Sequence, residues 1–178
     1  MRVPNNIKEG GLRRLTSGEV ELAKSVFGST LQYHKVWIHR DSYLPFNLQD
    51  SNTAMTPDGE IYFRNQYRDD FSQTLSHYQH LFIHEMSHVW QREKGMNVIC
   101  RGLVSWLVSY RYKLDGRLLS EYPMEQQAQI IADSFILQKS GYRTWLDMRF
   151  NHNITLDGDI HESVIRESYR NTLRGFPW

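Results

Sequence analysis

The chain has 178 residues, 40% of them hydrophobic and 23% charged, which is enough to bury a real core and short for two ordinary domains. Lys and Arg total 21 against 20 for Asp and Glu, a formal net charge of +1, so no basic surplus exists to spread over a nucleic-acid backbone. The longest uncharged apolar stretch, residues 103–110, is far too short to cross a bilayer, and membrane insertion is not expected. The opening MRVPNNIKEGGLRRL has no apolar signal-peptide core, and a single cysteine, Cys100, cannot staple the fold. Synthesis in the cytoplasm, with any export left to a machine that needs no cleaved signal, is the expectation.

In chain order, Thr16-Ser17-Gly18-Glu19 has capping-box spacing and opens a short helix through Phe27, stopped by Gly28. Residues 31–39, with Val36, Trp37 and Ile38, read as a strand. A hairpin follows: residues 53–56, a turn at Pro57-Asp58-Gly59, then a strand over 60–64. Residues 71–94 contain no Gly or Pro and end at Gly95, and Leu75, Phe82, Met86, Val89 and Trp90 suit a buried helix. Residues 97–114 fit helix or strand equally well. A second clear helix starts at Pro123 and stops at Gly141, with Met124, Ala128, Ile131, Ala132 and Phe135 as its apolar stripe. A last helix spans residues 160–173, with Asp159 as its candidate cap. Without repeats or linkers, residues 1–178 read as one α+β domain, a small antiparallel sheet followed by helices. The aromatic residues, 13% of the chain, are scattered, which points to core packing and not to a stacking platform.

The chemistry concentrates at His84-Glu85-Met86-Ser87-His88, a His-Glu-x-x-His motif inside the longest predicted helix. Residues i and i+4 lie one above the other on a helix face, so His84 and His88 can grip one ion. Glu85, offset by one residue, is placed to act on a metal-bound water. His77 and His80 fall near the same face, but the stripe from His77 to His88 is roughly 16 Å long, too long for one ion. They read as polar groups flanking a cleft. His34, His39, His152 and His161 lie outside any motif and read as structural or exposed.

A third ligand is needed. The long signature with a third histidine is missing, because Gln91 stands where Gly belongs and Lys94 where His belongs. A Glu from a later helix is the usual alternative, completing a His₂Glu site with an open position. Glu125 is the best candidate, since Ala128 and Ala132 beside it allow the two helices to approach closely. Its competing reading is an ordinary acid at a helix N-terminus. Glu121 and Asp133 are the fallbacks, and Asp133 also suits an acceptor for a ligand imidazole N–H.

With those residues in view, the runs AMTPDGEIYF, LFIHEMSHVWQ and EYPMEQQAQIIADSF resemble a family of small bacterial zinc metallopeptidases. These occur as C-terminal domains of VgrG-type spike proteins of type VI secretion and as stand-alone effectors. The resemblance covers residues 54–135 and implies a zincin-like, gluzincin-like site with His84, His88 and Glu125 on one zinc ion and Glu85 as acid/base. It further implies an antibacterial toxin delivered into a neighbouring cell, the periplasm being one destination, with a spike protein for delivery and an immunity protein in the producer.

The expected chemistry is peptide-bond hydrolysis. Zinc lowers the pKa of a bound water to about 7 and polarises the scissile carbonyl, while Glu85 takes a proton and returns it to the leaving amine. Tyr110, Tyr112 and Tyr122 are candidate donors to the oxyanion. The strand at residues 60–64, if it borders the cleft, can add an extended substrate as a further strand. Two other functions compete: a housekeeping intracellular zinc peptidase, and a non-catalytic binding module in which zinc holds two helices together. The latter needs a closed four-ligand site, usually containing Cys.

Overall fold

The structure is a computed structural model that describes residues 7–43, 54–98 and 109–178. Among these residues the order is β1 (Leu12–Arg14), α1 (Ser17–Phe27), β2 (Trp37–Arg40), β3 (Ile61–Phe63), α2 (Ser76–Glu93), α3 (Met124–Lys139), α4 (Gly141–Phe150) and α5 (Glu162–Thr172). The α+β class expected from the sequence is what forms. Cys100, Thr53 and most of the apolar stretch 103–110 lie outside the described residues.

Helix α1 starts as expected: the Thr16 hydroxyl accepts from Glu19 N and the Glu19 carboxylate accepts from Thr16 N, a closed capping box. Glu19 also does something the local pattern does not reveal. Its two oxygens take a fork of 2.8 Å bonds from Arg13 of β1, and it accepts from Phe71 N. Both charged side chains are almost fully buried, so this pair fastens β1, α1 and the approach to α2 at one point.

Only part of residues 31–39 is strand. Tyr33–Lys35 forms a turn of 3₁₀-helix, with Val36 N donating to Tyr33 O and the Tyr33 hydroxyl donating to Gly28 O. The extended segment starts at Trp37. The sheet is mixed and not antiparallel: order β1-β2-β3, with Leu12 opposite His39 antiparallel and Ile38 opposite Ile61 parallel. The hairpin does form, because Met55 and Tyr62 exchange both backbone bonds around a turn in which Gly59 adopts φ 77°. That arm occupies one edge of β3, and β2 takes the other.

The helix expected from residue 71 begins five residues later. Asp70 accepts from Ser72 N, the Thr74 hydroxyl donates to Phe71 O, and Phe71–Gln73 closes as a separate 3₁₀ turn. Side-chain bonds of this kind offer the backbone an alternative to helix. At the other end Gly95, at φ 79°, stops α2 as expected, and Met96 N reaches back to Gln91 O. Gly141 does more than end α3: its positive φ turns the chain directly into α4, which the sequence reading does not contain. Helix α5 starts at Glu162 with His161 as its cap residue; Asp159 accepts from His161 N one step earlier.

Helices α2 and α3 make the most extensive contact between elements, and both are buried on nearly every face along their middle turns. The sheet reaches α2 through a row of rings: Phe63 of β3 lies 4.7 Å from Phe71, which lies 5.6 Å from Phe82 of α2. At the far end of α2, Trp90 packs edge-on against Phe176 and Trp178 at 5.1 and 4.8 Å. The α2–α3 pair is thereby clamped from both sides, and the site sits between them. No helix among the described residues is long and apolar enough to cross a membrane.

Candidate metal centre

His84, Glu85 and His88 come from the third turn of α2 onward, and Glu125 from the first turn of α3. Glu125 Oε2 lies 3.4 Å from His84 Nε2 and 3.1 Å from His88 Nε2. The two imidazoles are 5.0 Å apart between ring centres and nearly perpendicular. One donor atom from each of the three residues falls within 4.8 Å of the others, and all three side chains are buried. A tetrahedron with bonds of roughly 2.05 Å has edges of about 3.3 Å, so this donor set fits a zinc-sized ion with one position left open. Glu121, by contrast, accepts from Leu118 N at the mouth of a short 3₁₀ turn and is not part of the group.

Burial works to lower the His88 pKa, but the Glu125 carboxylate beside it outweighs that and lifts it to about 9. Glu125 is held well below the usual carboxylate range; burial opposes this, and His88 and His84 overcome it. A proton on His88 Nε2 therefore bridges it to Glu125 Oε2, 3.1 Å away.

Glu85 points into the same small cavity, of about 40 Å³, which has room for an ion and a water. The Thr56 hydroxyl donates to Glu85 Oε2 at 2.6 Å. Thr56 belongs to the hairpin arm, whose residues Ala54, Met55, Thr56 and Pro57 form one wall. This corrects the expectation for the strand at 60–64: the hairpin partner, not β3 itself, borders the site. Nothing in the sequence spacing marks Thr56.

The structure separates the three tyrosines. Tyr110 lines the cavity, 5.9 Å from the His84 ring, and burial, then the charges of Glu125 and Glu85, push its pKa up, keeping the hydroxyl protonated. Tyr122 donates to Lys113 O, away from the site. Tyr112 donates to Asp133 Oδ2 at 2.7 Å and meets Tyr169 at 2.6 Å.

Asp133 is neither a fallback ligand nor an acceptor for His84 or His88. It accepts from His80 Nε2 at 2.7 Å, from Gln129, from Tyr112 and, at 3.3 Å, from Thr155 N. His80 is buried in that array and not at the edge of a cleft, whereas His77 sits beside Tyr78. The array ties α2 and α3 to the strand-like segment carrying Tyr110, because Thr155 also donates to Tyr110 O. Away from the site, His39 pairs with Glu60 and stacks on Tyr62, and His161 is exposed beside Asp159.

No family model matches the chain. Its sequence is 39% identical over 133 residues to the type VI secretion system spike protein VgrG2b of Pseudomonas aeruginosa, a match covering 70% of this chain and 13% of that protein. The fold matches the effector domain of P. aeruginosa VgrG2b with a TM-score of 0.64 and 34% identity, covering 87% of this chain and 89% of that one. The chain belongs to the VgrG2b effector-domain family. It thus corresponds to the effector part, and to only about an eighth of the spike protein's length.

Proposed function

We propose that this member of the VgrG2b effector-domain family is a zincin-like zinc metallopeptidase that acts as an antibacterial type VI secretion effector. The observation that carries the reading is the convergence of His84, His88 and Glu125 on one point, with the Glu85 carboxylate beside it. Two imidazoles and a carboxylate with a vacant fourth direction are the donor set of hydrolytic zinc, and a purely structural site would be closed. When bound, zinc supplies a Lewis acid that acidifies water and polarises a carbonyl.

The rest falls to the chain. Glu85, with Oε2 held by Thr56, uses Oε1 to take the attacking water's proton and hand it to the leaving amine. Tyr110, protonated at neutral pH, donates to the oxyanion of the tetrahedral intermediate. The hairpin arm at residues 54–57 lines one wall of the cavity, and an extended peptide laid along that arm would add to it as a further strand. The effector role draws on kinship with a domain of a spike protein, which makes a spike protein the delivery partner; a cognate immunity protein in the producer is part of the same proposal. The site in a target cell is the periplasm or beyond.

The test measures zinc per chain and cleavage of an unstructured protein substrate, in wild type and in Glu85→Gln. One zinc per chain in both, with turnover falling at least about 10²-fold in the variant, supports the reading. Wild type that takes up no zinc, or a variant that cleaves as fast, overturns it.

A further inference from the structure

Gln91 is fully buried on α2, one turn beyond His88, behind the residues that line the cavity. Its Oε1 lies 2.8 Å from His88 Nδ1. Its Nε2 lies 2.8 Å from Met124 O and 3.2 Å from Gln127 Oε1. Gln127 Nε2 in turn donates to Tyr122 O at 2.8 Å. An amide's oxygen and nitrogen are assigned from such partners, and here two backbone carbonyls, which can only accept, decide both. Tyr122 O requires the Gln127 nitrogen to face it, which leaves Gln127 Oε1 toward Gln91. Met124 O and that oxygen then require the Gln91 nitrogen, which leaves Gln91 Oε1 against His88. An oxygen there requires Nδ1 of His88 to carry hydrogen.

We infer that Gln91 is the positioning residue of the metal centre: it fixes His88 as the Nδ1–H tautomer, with Nε2 aimed at the ion, and links that ligand to the residue preceding the ligand Glu125. The polarity is set by the backbone at the start of α3, so the helix that supplies the third ligand also dictates how the second one binds. A neutral amide suits this place. The metal-free site already buries Glu85 and Glu125, and a third carboxylate behind His88 would add another charge to desolvate. This inference rests on the zinc reading above, and deepens it.

Partners that orient a ligand imidazole are worth roughly 10–100-fold in metal affinity. The experiment titrates zinc against a competing chelator in wild type, Gln91→Met and Gln127→Met, alongside urea denaturation of each metal-free protein. It also seeks the slowly exchanging His88 Nδ1–H proton by NMR in zinc-loaded wild type. Gln127→Met leaves Met124 O to orient Gln91, so it should lose stability yet keep zinc affinity within about threefold, while Gln91→Met weakens zinc by about 10–100-fold. Equal weakening in both variants, or none in Gln91→Met, overturns the inference and leaves the zinc site standing. Should Gln91→Met not fold, absence of the protected Nδ1–H signal in wild type overturns it as well. Wild type that binds no zinc removes the metal reading and this inference together.

Discussion

Replacing Asp133 by Asn tests whether the buried array beneath the site is held by one carboxylate. The side chain is fully buried, and its oxygens accept from His80 Nε2, Gln129 Nε2, the Tyr112 hydroxyl and Thr155 N. An Asn keeps one oxygen and turns an N–H toward groups that also donate. If the nitrogen faces Tyr112 and Thr155, the hydroxyl can rotate to accept but the backbone N–H cannot. If it faces His80 and Gln129, the imidazole can change tautomer, but Gln129 is committed to Asn153 O. Either way one donor is orphaned and charge-assisted bonds become neutral ones, at about 1.5–3 kcal/mol for the first and somewhat less for the second. A loss of about 3 kcal/mol follows, which in a chain of this size lowers the melting temperature by roughly 6–12 °C. Urea denaturation of the metal-free protein reads it. Zinc affinity should stay close to wild type, since Asp133 touches none of the three donors. A loss under about 1 kcal/mol would refute the energetic reasoning, and loss of zinc with intact folding would make Asp133 part of the metal centre after all.

Titration behaviour follows from the proton shared by His88 and Glu125. His88 is raised from 6.5 to about 9, so its contribution, of order 3 kcal/mol, is full below about pH 6.5 and is lost as pH rises through 9. Glu125 is depressed, so its contribution holds above its unfolded pKa and disappears as pH falls through the folded one. On the proposed zinc site, the ion would compete with the His88 proton; melting in chelator should therefore drop between pH 6.5 and 9 while the increment from added zinc grows, and an increment flat across that window contradicts the assignment. Tyr110→Phe should keep its zinc and lose about 10²-fold in kcat, measured on the same substrate as wild type; unaltered kcat would move the oxyanion donor elsewhere. Glu19→Gln strips the buried Arg13 of its anionic fork and should cost about 3–5 kcal/mol in urea, a figure that a loss below about 1 kcal/mol would rule out.

Much of the site is legible in one dimension because its spacing is helical. His84 and His88 share a face by periodicity alone, and Glu125 stands out as an acid in the first turn of a helix whose small residues, Ala128 and Ala132, invite close packing. Gln91 was within reach by the same logic, three residues from His88 on one face. Thr56 was not, since 29 residues separate it from Glu85 and only the hairpin's return brings it there. Asp133 misleads for a related reason: it shares the helix with Glu125, but a rise of about 12 Å over eight residues carries it past His84 and His88 to His80 and Tyr112.

Local pattern alone determined the capping box at Thr16, the stop at Gly95, the turn at Gly59 and the pair of helices that must meet for three donors to converge. Those features depend on residues within a turn or two of one another, where sterics and hydrogen bonding act without reference to the rest of the chain. Tertiary structure decided the rest. The direction of β2 against β3, the shortening of the strand expected over 31–39 to β2, the placing of Tyr110 and not Tyr112 or Tyr122 at the cavity, and the double duty of Glu19 as cap and buried partner of Arg13 all hinge on which distant groups end up buried together. A buried polar group must be matched wherever the fold leaves it, and no spacing rule reports which group that will be.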